Sequence, residues 1–236
     1  MKMKSSKGSL PMYLQIAETL VRDIAAGRLI DGEKLPPERD MAKELGIAVG
    51  TLRKTLAELE SRGLLERIQG SGNYIRAIND PQSVYALFRL ELIEGGGLPT
   101  AEILSVSLET KDPSLPPFGR SLQGHRIRRL RKIGGKVAAI EEIWLDGFYV
   151  DSIVPEDLSE SLYLYYRTRL NLWIAKAEDY IDLGNVPDWS PATFRPASGD
   201  LLPHVLRISH SHDGEKAEVS HTWYDHTVAR YVSRLR

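Results

Sequence analysis

Residues 35–75, LPPERDMAKELGIAVGTLRKTLAELESRGLLERIQGSGNYI, constrain the fold of this chain more than any other stretch. Pro36 and Pro37 end one segment and leave Glu38 and Arg39 to start a short helix. Its apolar residues Met41, Ala42 and Leu45 fall on one face until Gly46 stops it. A second helix starts near Ala48 and sets Leu52, Leu56 and Leu59 at i, i+4 and i+7, a stripe that needs a core. Gly63 ends that helix, and its other face carries Gly50, Thr51, Arg53 and Lys54. Two short apolar runs follow, Leu64 to Ile68 and Asn73 to Ile75, joined by Gln69-Gly70-Ser71-Gly72. Two helices about a tight turn and then a small hairpin describe a winged helix-turn-helix. In that motif the second helix enters a major groove with its first turns while its back packs inward.

These residues resemble the GntR family of bacterial transcription regulators. That family carries Leu-Pro-Ser-Glu-Arg, then a recognition helix with Thr-Val-Arg, then Gly-Leu and a Gly-x-Gly wing. Here the same places read Leu35-Pro36-Pro37-Glu38-Arg39, Thr51-Leu52-Arg53, Gly63-Leu64 and Gly70-Ser71-Gly72. Upstream, Pro11-Met12-Tyr13-Leu14-Gln15-Ile16 is similar to the family's opening Pro-Leu-Tyr-x-Gln-Ile. The resemblance implies that Arg39 and Arg53 touch DNA, and that Gly70 and Ser71 lie along a minor groove or phosphate backbone. Val49, Gly50, Thr51 and Gly72 complete the candidate DNA-reading set. Outside such a set an Arg on a helix surface is ordinarily a solvated charge, and Arg62, Arg67 and Arg76 are read as phosphate contacts at most.

One departure matters. Where the family usually has Ser-Arg before the recognition helix, this chain has Ala48-Val49. Replacing a capping Ser by Ala typically costs about 1 kcal/mol. Losing the Arg removes a bidentate contact to guanine and leaves Val49 an apolar contact, such as one to a thymine methyl. The operator is expected to differ from the commoner family sites at that base.

With 236 residues, 42% of them hydrophobic, the chain can build two separate cores. The absence of Cys excludes disulfides and thiolate metal sites. No apolar run approaches the roughly 20 residues needed to cross a bilayer. Met1 to Leu10 is polar and basic without the apolar centre of a secretory signal. A soluble, cytoplasmic protein with no membrane partner is expected. Residues 1–78 hold 13 Lys and Arg against 10 Asp and Glu, and the remainder 18 against 22. A modestly positive part joined to an acidic one fits a DNA reader carrying a non-DNA domain.

Taken in order, residues 1–10 with Lys2, Lys4 and Lys7 read as a basic tail, more simply a solvated terminus than a phosphate contact. Residues 11–78 are the winged domain, whose first helix, Pro11 to Ala26, aligns Ile16, Leu20 and Ile24 and stops at Gly27. Asn79-Asp80-Pro81 disfavours regular structure and marks a linker at residues 79–83. Residues 84–236 form a second domain. Tyr85 to Ile93 is expected as an apolar helix closed by Gly95-Gly96-Gly97. Strands are expected at Ala101 to Leu108, His125 to Lys132, Val137 to Leu145, Trp173 to Leu183, Val205 to Ser209 and Ala217 to Tyr224. Gly134-Gly135 and Asp213-Gly214 turn two hairpins, and one helix follows Pro155. Strands without βαβ alternation predict an α+β domain with an antiparallel sheet.

Arg129 and Arg131 lie two apart on one strand and so share a face. Paired guanidinium groups suit phosphate or carboxylate. If Ser161 opens a helix, its hydroxyl and the neighbouring N–H groups extend an anion site. Glu141 and Glu218 then accept hydrogen bonds from hydroxyl or amine groups of the same ligand, with Tyr163 and Tyr224 as walls; Thr100 is a weaker candidate. The same residue types also make ordinary solvated ion-pair ladders across sheets.

Over roughly residues 84–234 this region resembles the UTRA effector-binding domain, chorismate-lyase-like in fold, that accompanies one subgroup of GntR regulators. Arg129-x-Arg131, Glu141, Ser161-Leu162-Tyr163, Leu201-Leu202, and Glu218 with Tyr224 before Asp225 carry the resemblance. The chain departs from the pattern at Asp112 to Gln123 and Asp188 to Pro196. The resemblance implies that Arg129, Arg131, Glu141, Ser161, Tyr163, Glu218 and Tyr224 line an effector pocket.

The expected protein is therefore a homodimeric, effector-responsive transcription regulator, more simply a repressor, with double-stranded operator DNA and a small anionic metabolite as partners. It is not expected to be an enzyme or to need a cofactor. The alternative is a C-terminal domain that keeps a lyase-like activity on a small carboxylate; no activated nucleophile or Gly-rich cofactor loop supports it. His210-x-His212 and His221 with His226 lack a carboxylate partner at metal spacing, so no metal is expected.

Overall fold

Ile16, Leu20 and Ile24, with Ala17 and Val21 beside them, are buried on one side of α1 (Met12–Ala25). The computed structural model describes residues 11–25, 28–76, 87–158 and 161–233. The basic tail, the Gly27 stop and the linker at residues 79–83 lie outside the described residues. In the N-terminal unit the α1 stripe shares a core with α2 (Glu38–Glu44) and α3 (Val49–Ser61), through Met41, Ala42, Leu52, Leu56 and Leu59. Thr55 is fully buried in the same interface, where its hydroxyl donates to the Tyr13 carbonyl at 3.0 Å. Gly63 adopts φ +72° just past α3, a left-handed turn that suits a residue without Cβ. The wing follows as β1 (Leu65–Ile68) paired antiparallel with β2 (Gly72–Ile75), and Leu65 and Ile75 close the core from below.

The C-terminal unit spans residues 89–232. Its strands are β3 (Leu90–Leu92), β4 (Pro99–Thr110), β5 (Gln123–Ile133), β6 (Lys136–Asp146), β7 (Ile174–Asn185), β8 (Leu201–Ser211), β9 (Lys216–Tyr224) and β10 (Ala229–Tyr231). α4 (Leu162–Arg169) lies between β6 and β7. Six strands form one antiparallel sheet in the order β4-β5-β6-β9-β8-β7. α4 covers one face, setting Leu162, Tyr165 and Tyr166 on Ile127, Ile143, Leu145 and Ala217. The segment after β7 covers the other, where Val186 and Phe194 pack on Leu130, Ile140 and Leu202. The fold is α+β, as the sequence predicts.

The expected helix from Tyr85 to Ile93 is corrected within its described part. Leu90–Leu92 is a strand that pairs with β10 at the far end of the chain. A non-local ladder has overridden a local helical preference, an outcome that depends on a partner the window does not contain. Asp112 to Gln123, where the chain departs from the UTRA pattern, carry turns and no helix before β5 begins at Gln123. Buried Asp146 holds them by accepting from Lys111 Nζ at 2.8 Å and from the backbone N–H groups of Arg120 and Ser121 at 2.7 and 3.1 Å.

Candidate DNA-reading surface and effector site

α3 starts at an N-cap, Ala48, that has extended geometry (φ −70°, ψ 142°) and no side-chain capping bond. Gly50 and Arg53 are exposed on it, and Thr51 is half-buried. The Arg53 side chain, 66% exposed, pairs with Glu38 of α2 at 2.7 Å, so one carboxylate sets where this guanidinium points. Arg39 is exposed on α2. Val49, expected to offer its methyls to a base, packs part of its surface against the core beside Ile47. In the wing Gly70 and Ser71 are exposed, and the Ser71 and Tyr74 hydroxyls are hydrogen-bonded at 2.6 Å.

A crevice of about 630 Å³ opens between the approach to α2 and the wing, with Lys34, Arg67, Gly70 and Ser71 in its lining. Lys34 was not a sequence candidate. It forms an isolated β-bridge to Tyr74, and its side chain lies across Gly72, where an added Cβ would stand 3.0 Å from Lys34 Cε. Only the folded wing reveals this ammonium group beside the DNA-reading candidates.

On the α4-covered face of the sheet, register decides which polar groups meet. Arg129 pairs across β5–β6 with Glu141, and Arg131 with Ala139, so the two arginines and the glutamate share one face. Arg129 Nη2 lies 2.6 Å, and Arg131 Nε 3.1 Å, from the Glu141 carboxylate. Burial alone would raise the Glu141 carboxyl, but the two guanidinium groups outweigh it and hold the pKa below the usual range. Burial works the other way on Arg129 and lowers it, with Glu141 opposing.

Glu218 pairs with Ser209 on β8 and faces the same side. It is 2% exposed and accepts from Tyr166 at 2.6 Å, Ser209 at 3.0 Å and Tyr163 at 3.3 Å. Burial nevertheless pushes the Glu218 carboxyl up. Arg207, opposite Asp179 on β7, makes a bidentate pair with it at 2.6 and 2.7 Å and is hydrogen-bonded to Tyr163. Three arginines, three carboxylates and two tyrosine hydroxyls thus line one face, an arrangement able to hold an anionic group and neighbouring hydroxyls together.

The sequence candidates divide accordingly. Arg129, Arg131, Glu141, Tyr163 and Glu218 come together on this face. Ser161 caps α4, where its buried hydroxyl accepts from Leu164 N at 3.4 Å. Tyr224 pairs with Ala139 on the same face and is bonded to the backbone of Tyr231. Thr100 is not brought in. It pairs with Lys132, one residue out of phase with Arg131, and so belongs to the opposite face. Tyr166, Asp179, Arg207 and Ser209 were missed. The alternation of Arg207 and Ser209 was visible, but its alignment with Glu218 was not.

His204 and His221 stack on that opposite face with ring centroids 5.1 Å apart and ring nitrogens at 2.9 Å. Burial, with His221 beside it, pushes His204 down to about 4. Among the described residues no three His, Asp or Glu side chains are placed to hold a metal.

The gntR family of bacterial regulatory proteins matches at residues 12–75, and the UTRA domain at residues 94–230, more than half of the chain. The chain is a GntR-family regulator with a UTRA domain. This GntR regulator is 73% identical over 234 residues to the HTH-type transcriptional regulator SmoD of Agrobacterium fabrum, covering 99% of this chain and 100% of that one. It is similar to the mannosyl-D-glycerate transport/metabolism system repressor MngR of Escherichia coli, 28% identical over 74% of this chain and 75% of that one. It is also similar to the HTH-type transcriptional repressor NagR of Bacillus subtilis, 25% identical over 98% of each. The structure of YydK from Bacillus subtilis shares the fold, with a TM-score of 0.54 at 19% identity over 96% of this chain and 100% of that one. The GntR/UTRA protein is thus a transcriptional regulator, and regulators of this family bind DNA. No helix among its described residues is long and apolar enough to cross a membrane.

Proposed function

We propose that this regulator is a homodimeric repressor whose winged units read a pseudo-palindromic operator. A small anionic, hydroxyl-bearing metabolite on the α4-covered face releases it. The observation that carries the reading is the buried cluster of Arg129, Arg131 and Glu141 beside Glu218, Tyr163 and Tyr166. Desolvating a set of charges this deep costs folding energy even when they are paired, and a role in binding gives the protein a reason to keep them. Arg53, Arg39, Gly50 and Thr51, with Gly70, Ser71 and Lys34 at the wing, are the DNA-facing set, and their phosphate contacts make affinity fall with salt. Two relatives are named repressors, which supports that sign of control. The name of one refers to mannosyl-D-glycerate, a sugar bearing a carboxylate, which suits paired guanidinium and hydroxyl acceptors.

The test uses operator fragments selected by the protein from genomic DNA, with mannosyl-D-glycerate and a panel of sugar acids and sugar phosphates as ligands. Arg53→Ala is expected to lose operator binding while keeping ligand heat in calorimetry, and Arg131→Ala the reverse. The reading is sunk if both variants lose the same function, or if no anionic sugar binds the wild type.

A further inference from the structure

Asp179 sits where the polar cluster ends and a separate ribbon begins. One of its oxygens, Oδ2, accepts from Arg207 Nη2 at 2.7 Å and from the Tyr231 hydroxyl at 2.6 Å. Arg207 leads inward, because it is hydrogen-bonded to Tyr163, which reaches Ser209 and Glu218. Tyr231 leads outward, because it belongs to β10, which among the described residues pairs with β3 alone: Tyr231 opposite Leu90, Arg230 opposite Glu91, Ala229 opposite Leu92. Tyr224, from the same sheet face, also holds the Tyr231 backbone.

β3 is where the chain enters the C-terminal unit. Arg89 is its first residue, its carbonyl accepts from Val232 N at 2.8 Å, and its charge acts on both Asp179 and Tyr231. A two-stranded ribbon of three residues a side is marginal without outside support. The Tyr231 hydroxyl supplies such support, and it stays protonated as a donor because burial and Asp179 push it up to about 12.

We propose that Asp179 is the joint through which the state of the α4-covered cluster sets whether the β3–β10 ribbon, and so the first residues after the DNA-binding unit, stays docked. The proposal rests on the effector reading above and adds its route. A ligand that draws Arg207 or Tyr163 toward itself changes how Asp179 holds Tyr231. The ribbon then supplies the two-state element that coupling between sites requires. Asp179, Arg207 and Tyr231 act here as positioning residues.

Hydrogen–deuterium exchange on the full-length protein without ligand tests it, read at the ribbon amides of Ile93 and Val232, which donate across the ribbon ends. Tyr231→Phe removes one bond to a charged group and is expected to speed both amides about tenfold. Tyr163→Phe, at the far end of the chain of bonds, is expected to speed the same two amides several-fold and to leave Ile140 in β6 unchanged. The double variant is expected to speed them by less than the product of the two single effects. Unchanged ribbon amides in Tyr163→Phe, multiplicative effects, or equal acceleration at Ile140 would each overturn the relay. Because no ligand is present, those outcomes leave the effector reading to calorimetry.

Discussion

Glu141 stands directly across the β5–β6 ladder from Arg129, and its carboxylate is shared between Arg129 at 2.6 Å and Arg131 at 3.1 Å. On the proposed effector reading, an anion is expected to meet guanidinium groups already neutralised and to bind by replacing the Glu141 carboxylate. Glu141→Gln keeps the shape and removes the charge. Breaking a buried pair in this way costs about 3–5 kcal/mol because the remaining charge is uncompensated. The variant is expected to melt lower than the wild type and to regain stability in inorganic sulfate, binding it about tenfold more tightly by calorimetry. Sulfate affinity equal to that of the wild type would refute competition between Glu141 and the ligand.

Glu218 carries a carboxyl whose pKa folding raises, chiefly through burial. For a raised carboxyl the folded state binds its proton at higher pH than the unfolded chain, whose value is about 4.3. The group's stabilising contribution is then fully present below about 4.3 and is lost as pH rises through the folded value. Glu218→Gln removes that dependence. Denaturant unfolding at pH 7 and pH 5 is expected to show the variant gaining on the wild type at pH 7 and losing that advantage at pH 5. A gap that widens on acidification contradicts the assignment.

Ala48 leaves the first turn of α3 without a side-chain cap although its backbone already has cap geometry. Ala48→Ser needs no backbone change, and is expected to stabilise the N-terminal unit by about 1 kcal/mol in chemical denaturation. A neutral result would mean that solvent satisfies those N–H groups equally well.

Gly97 has φ +92°, and a Cβ there would lie 2.5 Å from Ile133 Cγ2 and 3.1 Å from Leu92 Cδ1. Gly97→Ala combines backbone strain with a clash between β3 and the β5–β6 hairpin, and is expected to cost about 2 kcal/mol. Gly95→Ala, with φ +93° and open space around it, separates the two causes, since it keeps only the strain. Equal losses in both variants would remove packing from the account.

The N-terminal unit was legible because its information is local. Helix stripes such as Leu52, Leu56 and Leu59, the proline and glycine stops, and the wing glycines all act within one turn or one hairpin, where periodicity and backbone sterics suffice. Arg129 and Arg131 could be put on one face for the same reason, since strand alternation needs no partner. What the residues could not show was register. Thr100 fell to the wrong face, Arg207 and Asp179 went unnoticed, and Leu90–Leu92 read as helix, because each outcome is set by a strand distant in the chain. Amino-acid order alone decided the helices and wing of the N-terminal unit, the strand alternation and the GntR motif. The tertiary structure alone decided which charges share a face, because a one-residue slip in pairing would carry every one of them to the other side of the sheet.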